Sequence, residues 1–301
     1  LTVNAPLHIA LCCNGTMLPG MHATLASLVR NLGRRQQVTL HLFLDDMTLT
    51  EIAELTQTVA ESGGVADLIV HAADLSLFKG LKTLHGQWMT YLRLLLPQML
   101  ATADTILYLD SDLVVNTDAC GFFDHALGEI PLGAINGPPV EWSLDHEFLR
   151  LIGLKDDDRS FNAGVVLINA AQWRAEGLVE QSLQMARNYT DVLTSHDQSV
   201  LNALFSRRFY ELPPRYNRQI SPEDRPMETT DSIFHFVGSP KPWDLFGRSF
   251  HGNWNAWHQA VAPTQFRWRS FLGGHLGTYL KRAWMLRRSY IRTLKRRYDS
   301  N

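Results

Sequence analysis

The stretch from Ile106 to Asp118 constrains this chain more than any other. Ile106 to Leu109 is an apolar run of strand length, and it stops at two carboxylates, Asp110 and Asp112, with only Ser111 between them. Unpaired charge is too costly to leave at the end of a buried strand. One solution is a divalent cation at the carboxyl edge of a sheet, the edge where open α/β sheets bind ligands. Hard oxygen donors suit Mg²⁺ or Mn²⁺, and such ions are commonly shared between one or two carboxylates and substrate phosphates. The alternative is an ordinary strand exit with solvated aspartates.

The pattern on either side agrees with an α/β chain. His8 to Cys13 reads as a first strand, and Asn14 to Gly20 as a loop. Met21 to Leu32 has helical spacing through Leu25, Leu28, Val29 and Leu32. Val38 to Leu44 is a second strand, Thr48 and Glu51 form a capping box for a helix to Glu61, and Val65 to Val70 is a short strand. Gln87 to Leu100 reads as a helix broken near Pro97. This alternation predicts a doubly wound, mostly parallel sheet with helices on both faces. Further on, Leu132 to Ile135 is a strand and Glu147 to Ile152 a helix, and the charged run Lys155 to Arg159 is a solvated turn. Phe161 to Asn169 is a strand entered through Asn-Ala-Gly, whose small residues imply close backbone approach. Gln172 to Asn188 and Ser199 to Phe205 are helices, the second with Asp197 as its N-cap. Pro213 to Asp231 is a long polar loop. Ile233 to Trp243 is a strand and a Gly/Pro turn that carry His235 and Lys241.

Charge divides the chain. Of its 28 basic and 30 acidic residues, ten and one fall in 267–301, which puts a tail of +9 on a body of −11. A basic tail on an acidic body calls for an acidic partner. No apolar run reaches the roughly 20 residues of a membrane span, and the polar start at Leu1 to Pro6 does not read as a signal peptide. Three cysteines, Cys12, Cys13 and Cys120, make no disulfide framework and favour a reducing compartment.

Five stretches together resemble glycosyltransferase family 8, which includes lipopolysaccharide galactosyl- and glucosyltransferases and, more remotely, glycogenin. They are Tyr91-Leu-Arg93, the Asp-x-Asp of Asp110 and Asp112, and Phe161 to Val165 followed by Trp173. The others are Asp197-Gln198 with Asn202, and His235, Gly238, Lys241, Pro242 and Trp243 in the order His-x-x-Gly-x-x-Lys-Pro-Trp. The resemblance covers about residues 8 to 258. It implies a GT-A-type fold and transfer of a hexose, galactose or glucose, from a UDP-sugar to a glycan or glycolipid acceptor in cell-surface glycan synthesis. Asp110, Asp112 and His235 would hold Mn²⁺, with Mg²⁺ as the alternative, to neutralise the departing UDP. Asn14, Thr16, Met17, Ser111, Ala163, Gly238 and Lys241 would hold the nucleotide-sugar. Arg93, Asn162, Asp197 and Gln198 would fix the donor sugar and stabilise an oxocarbenium-like transition state. The family retains anomeric configuration, and here an amide, Gln198, stands where retaining glycosidases use a carboxylate. Front-face attack guided by the leaving phosphate fits that better than a covalent adduct. The chain departs from the family in its first loop, where the usual Asp-x-Asn-Tyr reads Asn14-Gly-Thr-Met17. A family acid is also replaced near Asn136. Both leave the base and the donor hexose open.

Two other readings compete: a haloacid-dehalogenase-type phosphatase with Asp110 as nucleophile, and a nucleotide-sugar-binding protein without transfer activity. By domains, residues 1–266 read as the catalytic unit and 267–301 as a membrane-associating tail. From His275 to Tyr298, Leu276, Leu280, Trp284, Ile291, Leu294 and Tyr298 recur at mostly helical spacing with basic residues between. That is an interfacial amphipathic helix for an anionic membrane surface. It places the protein at the cytoplasmic face of the cell membrane, and nothing points to nucleic acid.

Overall fold

The computed structural model describes residues 5–83, 87–228 and 230–299. The expected polar start at Leu1 to Asn4 and the Tyr298 side chain lie outside the described residues. The strands are β1 Leu7–Asn14, β2 Val38–Asp45, β3 Asp67–Ala72, β4 Thr105–Leu109, β5 Leu113–Val115, β6 Leu132–Pro139, β7 Arg159–Asn169, β8 Tyr210–Leu212, β9 Arg218–Ile220 and β10 Ile233–Phe236. Seven form one sheet in the order β3-β2-β1-β4-β7-β6-β8. The β1 half is all parallel, β7 runs antiparallel to both its neighbours, and β6 pairs parallel with β8. The expected mostly parallel α/β sheet is present, with one reversed strand, β7, between β4 and β6.

Period-two alternation splits the central strands between two cores. Ile106 and Tyr108 face a cluster with Trp173, Phe161 and Phe205, while Leu107 and Leu109 face one with Leu11, Leu25 and Leu42. A strand buried on both faces explains why Ile106 to Leu109 reads as one apolar run. A second, three-stranded sheet, β5-β10-β9, is built where the chain leaves the main sheet. It packs on a third core with Trp243, Trp257 and Tyr279.

Several boundaries differ from expectation for local reasons. The first helix starts at Leu18, because Pro19 occupies its first turn, where a missing N–H costs nothing. The expected helix over Gln87 to Leu100 is a 3₁₀ segment, Met89–Leu94, followed by a short turn, Leu96–Met99. Pro97 again sits at the start of that turn. Gln172 to Asn188 is two helices, because Gly177 adopts φ 64° between them. His196, at φ 58°, precedes the helix Asp197–Phe205, so Asp197 is its first residue and not its N-cap. The polar loop over Pro213 to Asp231 contains β9. The tail carries three helices, Trp268–Gly274, Leu276–Met285 and Arg287–Asp299, and the last two stand where one helix is expected from His275 to Tyr298. The Thr48/Glu51 capping box forms as expected, and all three cysteines are free and buried.

Candidate active site

β4 ends at Leu109, and the next residues turn from the main sheet into the small one. Asp110 stays attached to the main sheet, its N–H donating to Gly164 O at 2.8 Å. Asp112 immediately precedes β5, and its carbonyl accepts from Phe236 N–H at 3.0 Å. Leu113 pairs with His235 in the antiparallel β5–β10 ladder. Residues far apart in sequence therefore meet where the two sheets join. One ligand atom from each of Asp110, Asp112 and His235 lies within 4.8 Å of the others.

The surroundings of these three fit a divalent cation. His235 Nδ1 lies 2.9 Å from Asn217 Oδ1, an acceptor, which puts the ring proton on Nδ1 and the lone pair on Nε2. That Nε2 is 3.2 Å from Asp112 Oδ1, a buried oxygen with no hydrogen-bond partner among the described residues. A lone pair facing an orphaned carboxylate oxygen needs a positive charge between them, and two carboxylates with one imidazole suit an octahedral, oxygen-preferring metal. Burial would raise the Asp112 carboxyl, but the Lys241 ammonium, at 2.7 Å, outweighs it and holds it well below the usual range. Gly164 leaves the space this requires. A Cβ there would lie 2.3 Å from His235 Cε1 and 2.6 Å from Asp110 Oδ2. The close approach expected of the Asn-Ala-Gly segment is thus to the acid–imidazole cluster.

A buried network extends from the cluster. Asp110 Oδ1 accepts from Tyr108 Oη at 2.7 Å and from Arg93 Nη2 at 2.9 Å. Arg93 is 5% exposed, lies over the Tyr108 ring, donates to Ala163 O, and pairs with Asp197 at 2.8 Å. One guanidinium thus holds two carboxylates. Burial pushes Asp197 up to about 6 against the pull of Arg93, and Asp110 adds to the rise. Next to it, Gln198 Oε1 accepts from Ala163 N–H and Asn162 Nδ2, both at 3.1 Å. A backbone N–H can only donate, so this atom is the amide oxygen, and both its lone pairs are engaged. Asn162 Oδ1 accepts from Gly164 N–H and from Asn217 Nδ2, each at 3.0 Å, which leads back to His235. Asn202 clamps the frame by bonding both the N–H and the carbonyl of Phe161, at 2.8 and 2.9 Å.

The open side is a cleft of about 460 Å³. Asn14, Thr16, Met17, Asp110, Ser111, Asp112, Gly238 and Lys241 all line it. Arg93, Asn162, Ala163, Asp197 and Gln198 do not; they form the network behind the cluster. Asn14 Oδ1 is turned inward onto Thr16, accepting from its N–H at 3.2 Å and its hydroxyl at 2.7 Å. Gly238, at φ 70°, lets the chain turn toward Lys241. Sequence reasoning missed Asn217, because nothing in a polar loop marks it. It also missed Tyr108, although period two places that residue on the Asp110 side of the chain. It did not anticipate that the tail helix Leu276–Met285 lines the same cleft.

The profile of glycosyl transferase family 8 matches residues 8–246, and the chain belongs to that family. It is 23% identical to general stress protein A of Bacillus subtilis (strain 168), over 79% of this chain and 87% of that one. It is 32% identical to the glycosyltransferase GlyE of Streptococcus pneumoniae serotype 4, over 54% of this chain but only 39% of the relative. To the lipopolysaccharide 1,3-galactosyltransferase of Salmonella typhimurium (strain LT2) it is 26% identical, over 60% and 57%. The chain thus matches less than two thirds of two of these three relatives. Among solved structures, the galactosyltransferase LgtC in complex with donor and acceptor sugar analogues superposes with a TM-score of 0.73 at 23% identity, covering 88% of this chain and all of that one. The GT-A-type fold is therefore that of this chain, which is a glycosyltransferase by family. The phosphatase reading falls with that finding.

Proposed function

We propose that the chain moves a hexose, galactose or glucose, from a UDP-sugar to a glycan or glycolipid acceptor, with a divalent metal and retention of configuration. The observation that carries this is the Asp110–Asp112–His235 cluster, joined through Arg93 and Asn217 to Asp197, Gln198 and Asn162. Mn²⁺, or Mg²⁺ in its place, held by Asp110, Asp112 and His235, would neutralise charge on the leaving diphosphate. Lys241 and the backbone at Gly238 then hold the diphosphate, and Asn14, Thr16, Met17 and Ser111 face the nucleoside. Asp197 and Gln198 would set the sugar's position through Arg93 and the Ala163 backbone, which they hold. Both lone pairs of Gln198 Oε1 are already occupied, so it is poorly placed to attack C1. That supports front-face attack, with the network stabilising developing positive charge.

Residues 1–266 would form the catalytic domain. The tail would bring it to an anionic membrane on the cytoplasmic side, consistent with the exposed Leu280, Trp284, Ile291 and Leu294. No helix among the described residues is long and apolar enough to cross a membrane.

UDP release from UDP-galactose and UDP-glucose tests the reading. It should require Mn²⁺, more weakly Mg²⁺, and should fall by about a thousandfold or more in Asp110→Ala or Asp112→Ala. NMR of the first product from an α-donor should show an α-linkage. Full activity in excess EDTA, or a β-linkage, refutes it.

A further inference from the structure

The tail helix Leu276–Met285 does more than follow the catalytic body. Its residues Thr278, Lys281, Arg282 and Met285 form part of the wall of the cleft that also contains Asp110, Asp112 and Lys241. The helix is fastened there. Tyr279 is 3% exposed within the third core, alongside Trp243 and Phe236. Arg282 pairs with Asp244, Nε to Oδ1 at 2.6 Å and Nη2 to Oδ2 at 3.2 Å. Asp244 is itself 2% exposed, and its Oδ2 accepts from the Lys241 N–H at 2.7 Å. One buried carboxylate therefore grips both the tail helix and the turn that carries Lys241. Tyr290 Oη donates to Leu245 O at 2.5 Å, and Trp268 Nε1 to Trp243 O at 3.1 Å.

The cations on this wall differ in what they are bound to. Lys241 is paired with Asp112, and Arg282 with Asp244. Lys281 is exposed, lines the cleft, and has no ion pair among the described residues. A nucleoside diphosphate brings two anionic phosphates to a site where Lys241 is already shared with a carboxylate. A flexible ammonium with no competing acid is the group available to complete their neutralisation.

We infer that helix Leu276–Met285 is a wall of the donor site and that Lys281 is a second cationic contact for the diphosphate of the nucleotide-sugar. Arg282 is a positioning residue that fixes the Lys241 turn through Asp244. The inference rests on the proposed UDP-sugar reading. It also means that the tail is part of donor binding with no membrane present.

Calorimetric titration of the full chain with UDP, in the presence of Mn²⁺ and without lipid, tests it, with uridine as the phosphate-free probe. Lys281→Met should weaken UDP binding about tenfold, as expected for a lost contact to a charged group, and leave uridine binding within about twofold. Lys281→Arg should restore most of the loss. UDP binding by Lys281→Met equal to that of the parent chain overturns the inference and leaves the proposed function standing. An equal loss for UDP and uridine overturns the diphosphate contact. A parent chain that does not bind UDP with Mn²⁺ overturns the donor-site reading itself.

Discussion

The two ends of the site are built in different ways. At the acid–imidazole end, Tyr108, Asp110, Arg93, Asp197, Gln198, Asn162, Asn217 and His235 form a continuous network of hydrogen bonds and ion pairs, mostly buried. At the outer end of the cleft, Asn14 Oδ1 is engaged within its own loop, Thr16 and Lys281 are exposed, and one wall is a tail helix. A buried polar network is costly when half satisfied, so each member depends on the rest. An exposed rim carries no such penalty. The contrast teaches that the acid–imidazole end is preorganised by mutually dependent residues, while the outer end is built from segments that tolerate change. The departure at Asn14 to Met17 falls on the tolerant side.

The sharpest test of that contrast is Gln198→Ala. Its amide organises Ala163 and Asn162 and lies beside Asp197, so turnover should fall about a hundredfold while donor affinity changes little. Steady-state kinetics beside calorimetric donor binding measure the two separately. A loss confined to affinity would make Gln198 a ground-state contact and weaken the claim of preorganised chemistry.

A second test uses a residue that touches neither metal nor sugar in this reading. Asn217 fixes the His235 tautomer and supports Asn162. Asn217→Leu should raise the Mn²⁺ concentration needed for half-maximal activity by about ten- to a hundredfold, the usual effect of losing the group that orients a ligating imidazole. Excess Mn²⁺ should recover most of the rate. No change in the Mn²⁺ requirement would detach Asn217 from the ligand set.

What the sequence made legible follows the same division. Asp110 and Asp112 were readable from the apolar β4 run that they close, whereas the roles of Asn162, Gln198 and His235 came only from the resemblance to the family's motifs. Asn162 lies in the β7 entry, His235 in β10, and Gln198 in the helix Asp197–Phe205. Asn217 was not readable, because its role depends on β9 pairing with β10, a contact that no local pattern encodes. The 3₁₀ character of Met89–Leu94 was also hidden, since a leucine-rich run scores as helix whatever its turn. Here Arg93, within that segment, is drawn to Asp110 and Asp197. The amphipathic pattern of the tail was legible, but its docking on the cleft was not. That docking is fixed by Asp244 and Tyr279, one a buried charge and one an aromatic that periodicity treats as any other.

The Asp197 carboxyl gives a pH test of the buried end. With its pKa pushed up to about 6, it is ionised above that value and protonated below it. Only the ionised form pairs with Arg93 and keeps its guanidinium held between Asp197 and Asp110. Turnover should therefore fall as pH drops through about 6. In Asp197→Asn that acid limb should vanish on a lower plateau, because no proton remains to bind there. An unchanged limb in the variant assigns the titration to another group.

The smallest effect on chemistry should come from the outer face of the last helix. Arg288, Arg292 and Lys295 are exposed, none lines the cleft, and Ile291 and Leu294 beside them are each 54% exposed. Replacing all three cations with Gln should leave lipid-free turnover within about twofold, as surface substitutions usually do. The same change should weaken binding to anionic vesicles by about a hundredfold, because each basic residue near an anionic leaflet contributes separately. Sedimentation of the parent chain should be lost in high salt and absent with neutral vesicles. If the triple variant instead pellets as the parent does, the basic face of Arg287–Asp299 is not the membrane contact. If lipid-free turnover collapses, the tolerant end of the site reaches further along the tail than Lys281, and the contrast between the two ends has to be redrawn.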